Sequence, residues 1–289
     1  MRYIHTYITP AGMVFIYIKI DRRMNVKDTG RNENEEDHMP YVKIQDLEMY
    51  YEKMGTGDPV IFLHSHYSRG ILAFSSQLLD FQQKYTCYFP DHRGHGRTKC
   101  DSLEWSTPQL AEDVINFMKA LHISKAHLIG YSCGGNVALY CAVKHPQMFA
   151  TLTTIGCSGV ACPEGADEFE PEWLVQNECY EMIHQMMERH EEAHQGNWQE
   201  FMRQSAQDWR QYPQLTRNEL SRITCPALFI AGEHDDFATE EQLQELCSWV
   251  QDSRYLVAPG CSHRPHMLRE QPILINDSIL QFLNKHAIG

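Results

Sequence analysis

Short apolar runs along this chain alternate with longer stretches in which apolar residues return every three or four positions, and the two periods predict different elements. The run Val60-Ile61-Phe62-Leu63 has no polar interruption, the pattern of a strand covered on both faces. Further strands are expected at Tyr85 to Phe89, Ala126 to Ile129, Leu152 to Ile155, Ala227 to Ala231 and Tyr255 to Ala258. Tyr41 to Gln45 and Glu48 to Lys53 predict an initial antiparallel pair, joined to the Val60 run by the turn residues Gly55, Gly57, Asp58 and Pro59. Helical periods follow at Gln109 to Leu121, Asn136 to Lys144, Glu240 to Val250 and Pro272 to Lys285. The first of them is preceded by the cap and first-turn residues Ser106, Thr107 and Pro108. Strand and helix in alternation predict an α/β fold, a mostly parallel sheet flanked by crossover helices.

The alternation fails in two places. From Cys162 to about Arg222 there is no strand pattern, only two helical stretches, Glu172 to His194 and Trp198 to Trp209. Residues 161–222 are therefore expected to be a helical insertion, a lid, between core segments 39–160 and 223–289. Ten acidic residues lie between Glu164 and Glu192, against the single basic Arg189. At the other end, Asn25 to His38 is polar throughout and the regular pattern begins only at Met39. Residues 1–38 are expected to be a non-core extension, with Met39 the natural start.

Charge and composition narrow the field. The 289 residues carry 25 Lys and Arg against 38 Asp and Glu, a formal charge of −13. Residues 1–38 hold six of each sign, so the charge belongs to the remainder. Such a chain has no electrostatic footprint for phosphate neutralisation, and no nucleic-acid partner is expected. Its most apolar stretch, Met13 to Ile18, is cut off by Lys19, Asp21, Arg22 and Arg23, far short of the roughly eighteen residues of a membrane span. No membrane partner is expected. Ten scattered cysteines without a C-x-x-C pair point to reduced thiols and a cytoplasmic setting.

Chemistry enters at Gly130-Tyr131-Ser132-Cys133-Gly134-Gly135, directly after an expected strand and opening a helical run. A serine on so sharp a turn needs neighbours without bulk, and the helix behind it aims amide donors at a developing oxyanion. A serine of ordinary acidity needs a base, and the base a third group to orient it. Both follow in order. Ala231-Gly232-Glu233-His234-Asp235-Asp236 puts carboxylates at a strand's C-terminal end, with Asp235 chosen over Asp236 and Glu233. Val257-Ala258-Pro259-Gly260-Cys261-Ser262-His263 puts the candidate base, His263, on a loop after the last strand, with His266 as the reserve.

With these motifs, and with Asp91-His92-Arg93-Gly94-His95-Gly96-Arg97-Thr98, the chain from about Tyr41 to Leu283 resembles the α/β-hydrolase fold family, specifically its compact esterase-like members with a lid. The resemblance implies an eight-stranded, mostly parallel sheet with the lid after its sixth strand, and oxyanion donors at the backbone amides of His66 and Cys133. It departs from the family at His64-Ser65-His66-Tyr67-Ser68-Arg69-Gly70, where a serine stands in place of the usual glycine. If position 65 needed a positive φ, Ser65 would carry about 1–2 kcal/mol of strain; otherwise the loop must take another path. His64 and His66 lack a third ligand at zinc-like spacing, so neither metal nor cofactor is expected.

The expected activity is that of a serine hydrolase: Ser132 attacks, His263 moves the proton, Asp235 orients it, and an acyl-enzyme is cleared by water. Candidate substrate contacts are Tyr67, Tyr131, Trp173 and His266. The lid's Met and Trp residues together with its acidity suggest a small-molecule ester or lactone that is bulky, amphiphilic and cationic, macrolide-like. The alternatives are a cofactor-free C–C hydrolase or lyase on the same residues, and a ligand receptor with a hydrolase-like pocket. Oligomeric state is open.

Overall fold

The computed structural model describes residues 41–288 and, among the first forty, two strands at residues 4–8 and 14–18. The chain divides into two units, Met1–His38 and Met39–Gly289. In the first, β1 (Ile4–Ile8) and β2 (Val14–Ile18) pair antiparallel, with Ile4 opposite Ile18. The polar stretch Asn25 to His38 lies outside the described residues.

In the second unit β3 (Tyr41–Ile44) and β4 (Leu47–Met54) form the antiparallel pair, followed by β5 (Asp58–Leu63), the short helices α1 (Gly70–Ala73) and α2 (Leu78–Phe81), and β6 (Tyr85–Pro90). A two-residue strand β7 (Lys99–Cys100), helix α3 (Thr107–Ala120), β8 (Ala126–Tyr131), α4 (Cys133–Lys144) and β9 (Phe149–Ile155) continue the alternation. Five helices intervene before the next strand: α5 (Pro171–Gln176), α6 (Tyr180–Arg189), α7 (Glu191–His194), α8 (Trp198–Gln211) and α9 (Arg217–Leu220). The core resumes with β10 (Ala227–Gly232), α10 (Glu240–Trp249), β11 (Ser253–Ala258) and α11 (Pro272–Asn284).

Eight strands lie in the order β11-β10-β9-β8-β5-β6-β4-β3, with β7 paired to β4. Every pairing from β6 to β11 is parallel, and β4 joins β6 antiparallel. Helices cover both faces, which is why the strands read as unbroken apolar runs. Along β5, Ile61 and Leu63 face the cluster built by Leu110, Val114 and Phe117 of α3 and Val137 and Ala138 of α4, while Val60 and Phe62 face α11 through Ile275 and Ile279. Phe62 stacks on Phe89 at 4.7 Å and meets Phe81 edge-on at 5.4 Å. Each such fully buried side chain contributes about 1.5–3 kcal/mol of transfer free energy. Among the described residues no helix is long and apolar enough to cross a membrane.

The structure departs from expectation inside the long insertion. The single helix expected over Glu172 to His194 is three helices. Glu178 has φ 56, and the Cys179 amide reaches back to the Leu174 carbonyl, closing α5 with a wide turn. A second interruption falls at His190, between α6 and α7. Helix α4 starts at Cys133, three residues before the expected Asn136, so it abuts Ser132 directly.

Candidate active site

The parallel strands end on one side of the sheet, and the loops leaving β5, β8, β10 and β11 meet there. This is where α/β folds place their chemistry. Ser132 sits between β8 and α4 with φ 53 and ψ −120, a conformation an L residue occupies at a cost of order 1–3 kcal/mol. Its neighbours explain how the turn closes. A Cβ on Gly130 would stand 2.1 Å from the Gly134 carbonyl oxygen, and one on Gly134 would stand 2.0 Å from the Leu63 oxygen. The Ser132 amide donates to the Ile155 carbonyl at 2.8 Å, anchoring the turn to β9.

From Ser132 a hydrogen-bond chain runs inward. His263 Nε2 lies 3.1 Å from Ser132 Oγ, and His263 Nδ1 lies 3.0 and 3.1 Å from the two carboxylate oxygens of Asp235. The Asp235 side chain has no exposed surface, while that of His263 keeps 21%. An ionised carboxylate only accepts, so Nδ1 carries the proton and donates, leaving Nε2 to accept from the serine hydroxyl. Asp235 is further held by the Phe237 amide at 2.9 Å. Its competitors are elsewhere engaged: Glu233 accepts from the Gly260 amide at 2.7 Å, and Asp236 is exposed.

The loop after β5 takes a path without strain at Ser65, which is not among the residues of positive φ. Instead the Ser65 carbonyl accepts from the Ser68 amide at 3.1 Å and faces His64 Nδ1 at 2.8 Å. The far end of this loop is tied to the Asp91 loop, whose carboxylate accepts from the Gly70 amide at 2.8 Å and the Arg97 amide at 3.0 Å. Cys133 is the first residue of α4, so its amide has no acceptor within the helix and is available beside Ser132.

The candidate substrate contacts lie in different settings. Tyr67 is half-buried and stacks on Phe169 of the insertion at 4.6 Å with an interplanar angle of 8°; its hydroxyl is buried without a partner among the described residues. Tyr131 is buried and packs 5.3 Å from the His263 ring. His266 does not face the cleft: it is fully buried beneath Tyr131, 4.5 Å ring to ring, with Nε2 3.1 Å from the Ala73 carbonyl, and burial pushes it down to about 3. It packs beneath Tyr131. Trp173 is half-buried on α5, where its carbonyl accepts from Asn177.

Several residues at the site had no sequence motif to mark them. Asp208, on α8 of the insertion, is buried and accepts from the Thr107 amide and hydroxyl, each at 2.6 Å, and faces His66 Nε2 at 3.0 Å. Its neighbour Trp209 meets Phe237 at 5.7 Å, and Phe237 meets the His263 ring at 4.9 Å. The signal available in the sequence is phase: Phe201, Met202, Ser205 and Asp208 share the buried stripe of α8, and an acid on that stripe is out of place. Behind the loop after β5, His64, His92, His95 and His190 form a buried group, with His64 and His92 4.3 Å apart and His95 and His190 5.6 Å apart. Burial, reinforced by the neighbouring imidazoles, lowers His92 to about 3 and His95 to about 4, and holds His64 and His190 well below the usual value.

Ligand atoms of His66, Cys133 and Asp208 lie within 4.8 Å of one another, the one such group among the described residues. It is a poor metal cradle. Thr107 and His66 already occupy the Asp208 oxygens, and burial raises the Cys133 thiol well above its ordinary value, so a cation would have to break those bonds and expel a proton.

Comparison with known proteins agrees with this architecture. A model of the family described as the alpha/beta hydrolase family matches residues 60–277. The chain is 26% identical over 241 residues to the serine hydrolase BPHL of Homo sapiens, covering 78% of this chain and 80% of that one. It is 25% identical over 251 residues to 3-oxoadipate enol-lactonase 2 of Acinetobacter baylyi, covering 81% and 92%. Among solved structures, a thermophilic esterase from Thermogutta terrifontis superposes with a TM-score of 0.68 at 23% identity, covering 86% of this chain and 99% of that one, a likeness of fold.

Proposed function

Because this chain belongs to the alpha/beta hydrolase family, a family whose relatives here are hydrolases, we propose that it cleaves a carboxylic ester or lactone through Ser132, His263 and Asp235. The reading rests above all on the unbroken hydrogen-bond chain from Ser132 through His263 to Asp235 at the C-terminal ends of β8, β10 and β11. Ser132 Oγ attacks the substrate carbonyl carbon while its proton passes to His263 Nε2, and Asp235 stabilises the imidazolium that forms. The backbone amides of His66 and Cys133 receive the oxyanion of the tetrahedral intermediate. Collapse expels the alcohol, which takes the proton from His263 and leaves an acyl-Ser132. Water then repeats the sequence, giving up a proton to His263 and releasing the acid. In a lactone the alcohol and acid are the two ends of one product.

Residues 161–222 act in this account as a lid over the site, supported by the stacking of Phe169 on Tyr67 and by Asp208 on His66. Residues 39–160 and 223–289 are the catalytic core, and residues 1–38 an extension outside it. The substrate is a small molecule. The test is ester and lactone turnover by the purified wild type and by Ser132→Ala of unchanged circular dichroism. Loss of the serine is expected to reduce kcat/KM by roughly 10^4-fold or more. Equal turnover by the two proteins would remove the assignment.

A further inference from the structure

The charges of the insertion lie on its outside. Of the ten acidic residues between Glu164 and Glu192, nine are exposed, and the tenth, Glu170, pairs with Arg210 at 2.7 Å. The contacts of the insertion towards the triad are aromatic instead. The Tyr67 ring, one residue past His66, lies face to face with Phe169 at 4.6 Å. Phe169 meets Trp209 of α8 at 5.2 Å, Trp209 meets Phe237 at 5.7 Å, and Phe237 meets the His263 imidazole at 4.9 Å. Four rings thus form an unbroken row from the loop after β5, across the insertion, to the base. Tyr67, Trp209 and Phe237 each keep some exposed surface, as does the His263 side chain.

The row is held in place from its far side. The Trp209 indole donates to the Cys162 carbonyl at 2.7 Å, so its one polar handle is spent, and its chain neighbour Asp208 is tied to Thr107 and His66. The Phe237 amide donates to Asp235 at 2.9 Å, which fixes the backbone under that ring to the acid of the triad. Rings already ordered lose little side-chain freedom when a ligand meets them. They do not make a cage for a cation, which needs ring faces turned on a single point. Tyr67 and Phe169 cover each other's faces at an interplanar angle of 8°, and Trp209 meets Phe237 at 68°. The end of the row also selects the part of the substrate that it meets. His263 Nε2 hands its proton to the departing alkoxy oxygen, so the alcohol leaves from beside the imidazole, where Phe237 stands.

We propose that the row from Phe237 to Tyr67 is the binding wall for the alcohol portion of the ester, and that the preferred alcohol carries an aromatic ring. The proposal rests on the esterase reading and narrows its substrate class: it replaces the cationic, macrolide-like substrate suggested by the acidity of the insertion. An aryl ring on this wall gains ring-to-ring contact beyond the burial of its area, whereas a saturated ring of similar size gains burial alone. The sign of the preference therefore separates a specific wall from a merely apolar one, because cyclohexyl is the more apolar group and burial alone favours it.

The probes are benzyl acetate and cyclohexylmethyl acetate, which share an acyl group and differ in the ring of the alcohol. With kcat/KM divided by each ester's rate with hydroxide, wild type is expected to favour benzyl acetate by about threefold to tenfold. The reversed pair, methyl phenylacetate and methyl cyclohexylacetate, should show no such preference for its aromatic member. In Trp209→Leu and Phe237→Leu the benzyl preference should fall to one or invert. If Trp209→Leu does not fold, Phe237→Leu carries the test. Binding of the two acetates to Ser132→Ala, by calorimetry, separates this proposal from the esterase reading. Absent turnover in the wild type with tighter binding of benzyl acetate would defeat the esterase and leave the aromatic site standing. Binding of the cyclohexylmethyl ester as tight as that of the benzyl ester, a benzyl preference that survives both substitutions, or an aromatic preference at least as large on the acyl side overturns the proposal.

Discussion

Ser132 is held in a conformation that favours glycine, at φ 53, and from there its hydroxyl lies 3.1 Å from His263 Nε2. That strain is measurable. Alanine at this position keeps the Cβ and the strain, whereas glycine relieves it. Ser132→Gly is expected to be more stable than Ser132→Ala by about 1 kcal/mol in urea unfolding, with both inactive. Equal stabilities would mean that the turn is relaxed. Asp235→Asn should leave the fold intact and lower kcat by about 10^4-fold, because an amide in place of the carboxylate favours the wrong imidazole tautomer. At this scale the sequence was informative where a backbone demand leaves a mark. The glycines around Ser132 are such marks, since Gly130 and Gly134 each face a carbonyl oxygen that no side chain could approach. Residues chosen by type alone were harder to separate. Asp235 and Glu233 differ only in where the loop turns, and His266 differs from His263 by lying under the Tyr131 ring instead of beside it.

Among the elements, α8 is the one whose role exceeds its pattern. It reads as an ordinary amphipathic helix of the insertion, yet Asp208 receives the Thr107 amide and hydroxyl and faces His66, fastening the insertion to the start of α3 and to the loop after β5. Asp208→Ala strands buried donors on two core segments, so a loss of about 2–4 kcal/mol is expected. The loop that presents the His66 amide loses its tether at the same time, and kcat should fall more than KM rises. A variant with wild-type unfolding midpoint and kcat would show that the tether is idle. The core strands were legible because burial on both faces leaves unbroken apolar runs. The breaks inside the insertion were not: Glu178 at φ 56 and the pause at His190 carry no glycine or proline to announce them.

For the molecule as a whole, the buried histidines set an acid limit. His64, His92, His95 and His190 are neutral in the folded state, with values lowered by burial, and take up protons near 6.5 once unfolded. The unfolded chain therefore binds more protons as the pH falls below about 6.5, and stability declines, by roughly 1.4 kcal/mol per pH unit for each such group. Between pH 7 and pH 5 the sum reaches several kcal/mol, comparable with the 5–15 kcal/mol that holds a typical domain together. Thermal unfolding followed across this range should show Tm dropping steeply, and a flat Tm would show that these side chains are hydrated or protonated in the fold. The parallel sheet, and the order in which Ser132, Asp235 and His263 come to neighbouring strand ends, were readable from one sequence. The histidine group, assembled from the loops after β5 and β6 and from the break between α6 and α7, was not, since no local spacing encodes it.

All of this depends on Ser132 being an activated nucleophile. Incubation of the wild type, Ser132→Ala and His263→Ala with a fluorophosphonate, followed by peptide mapping of the adduct, asks that directly. One stoichiometric adduct on Ser132 is expected in the wild type, none in Ser132→Ala, and labelling slowed by orders of magnitude in His263→Ala. A folded wild-type protein that takes no label at Ser132, or one labelled equally fast without His263, would contradict that activation.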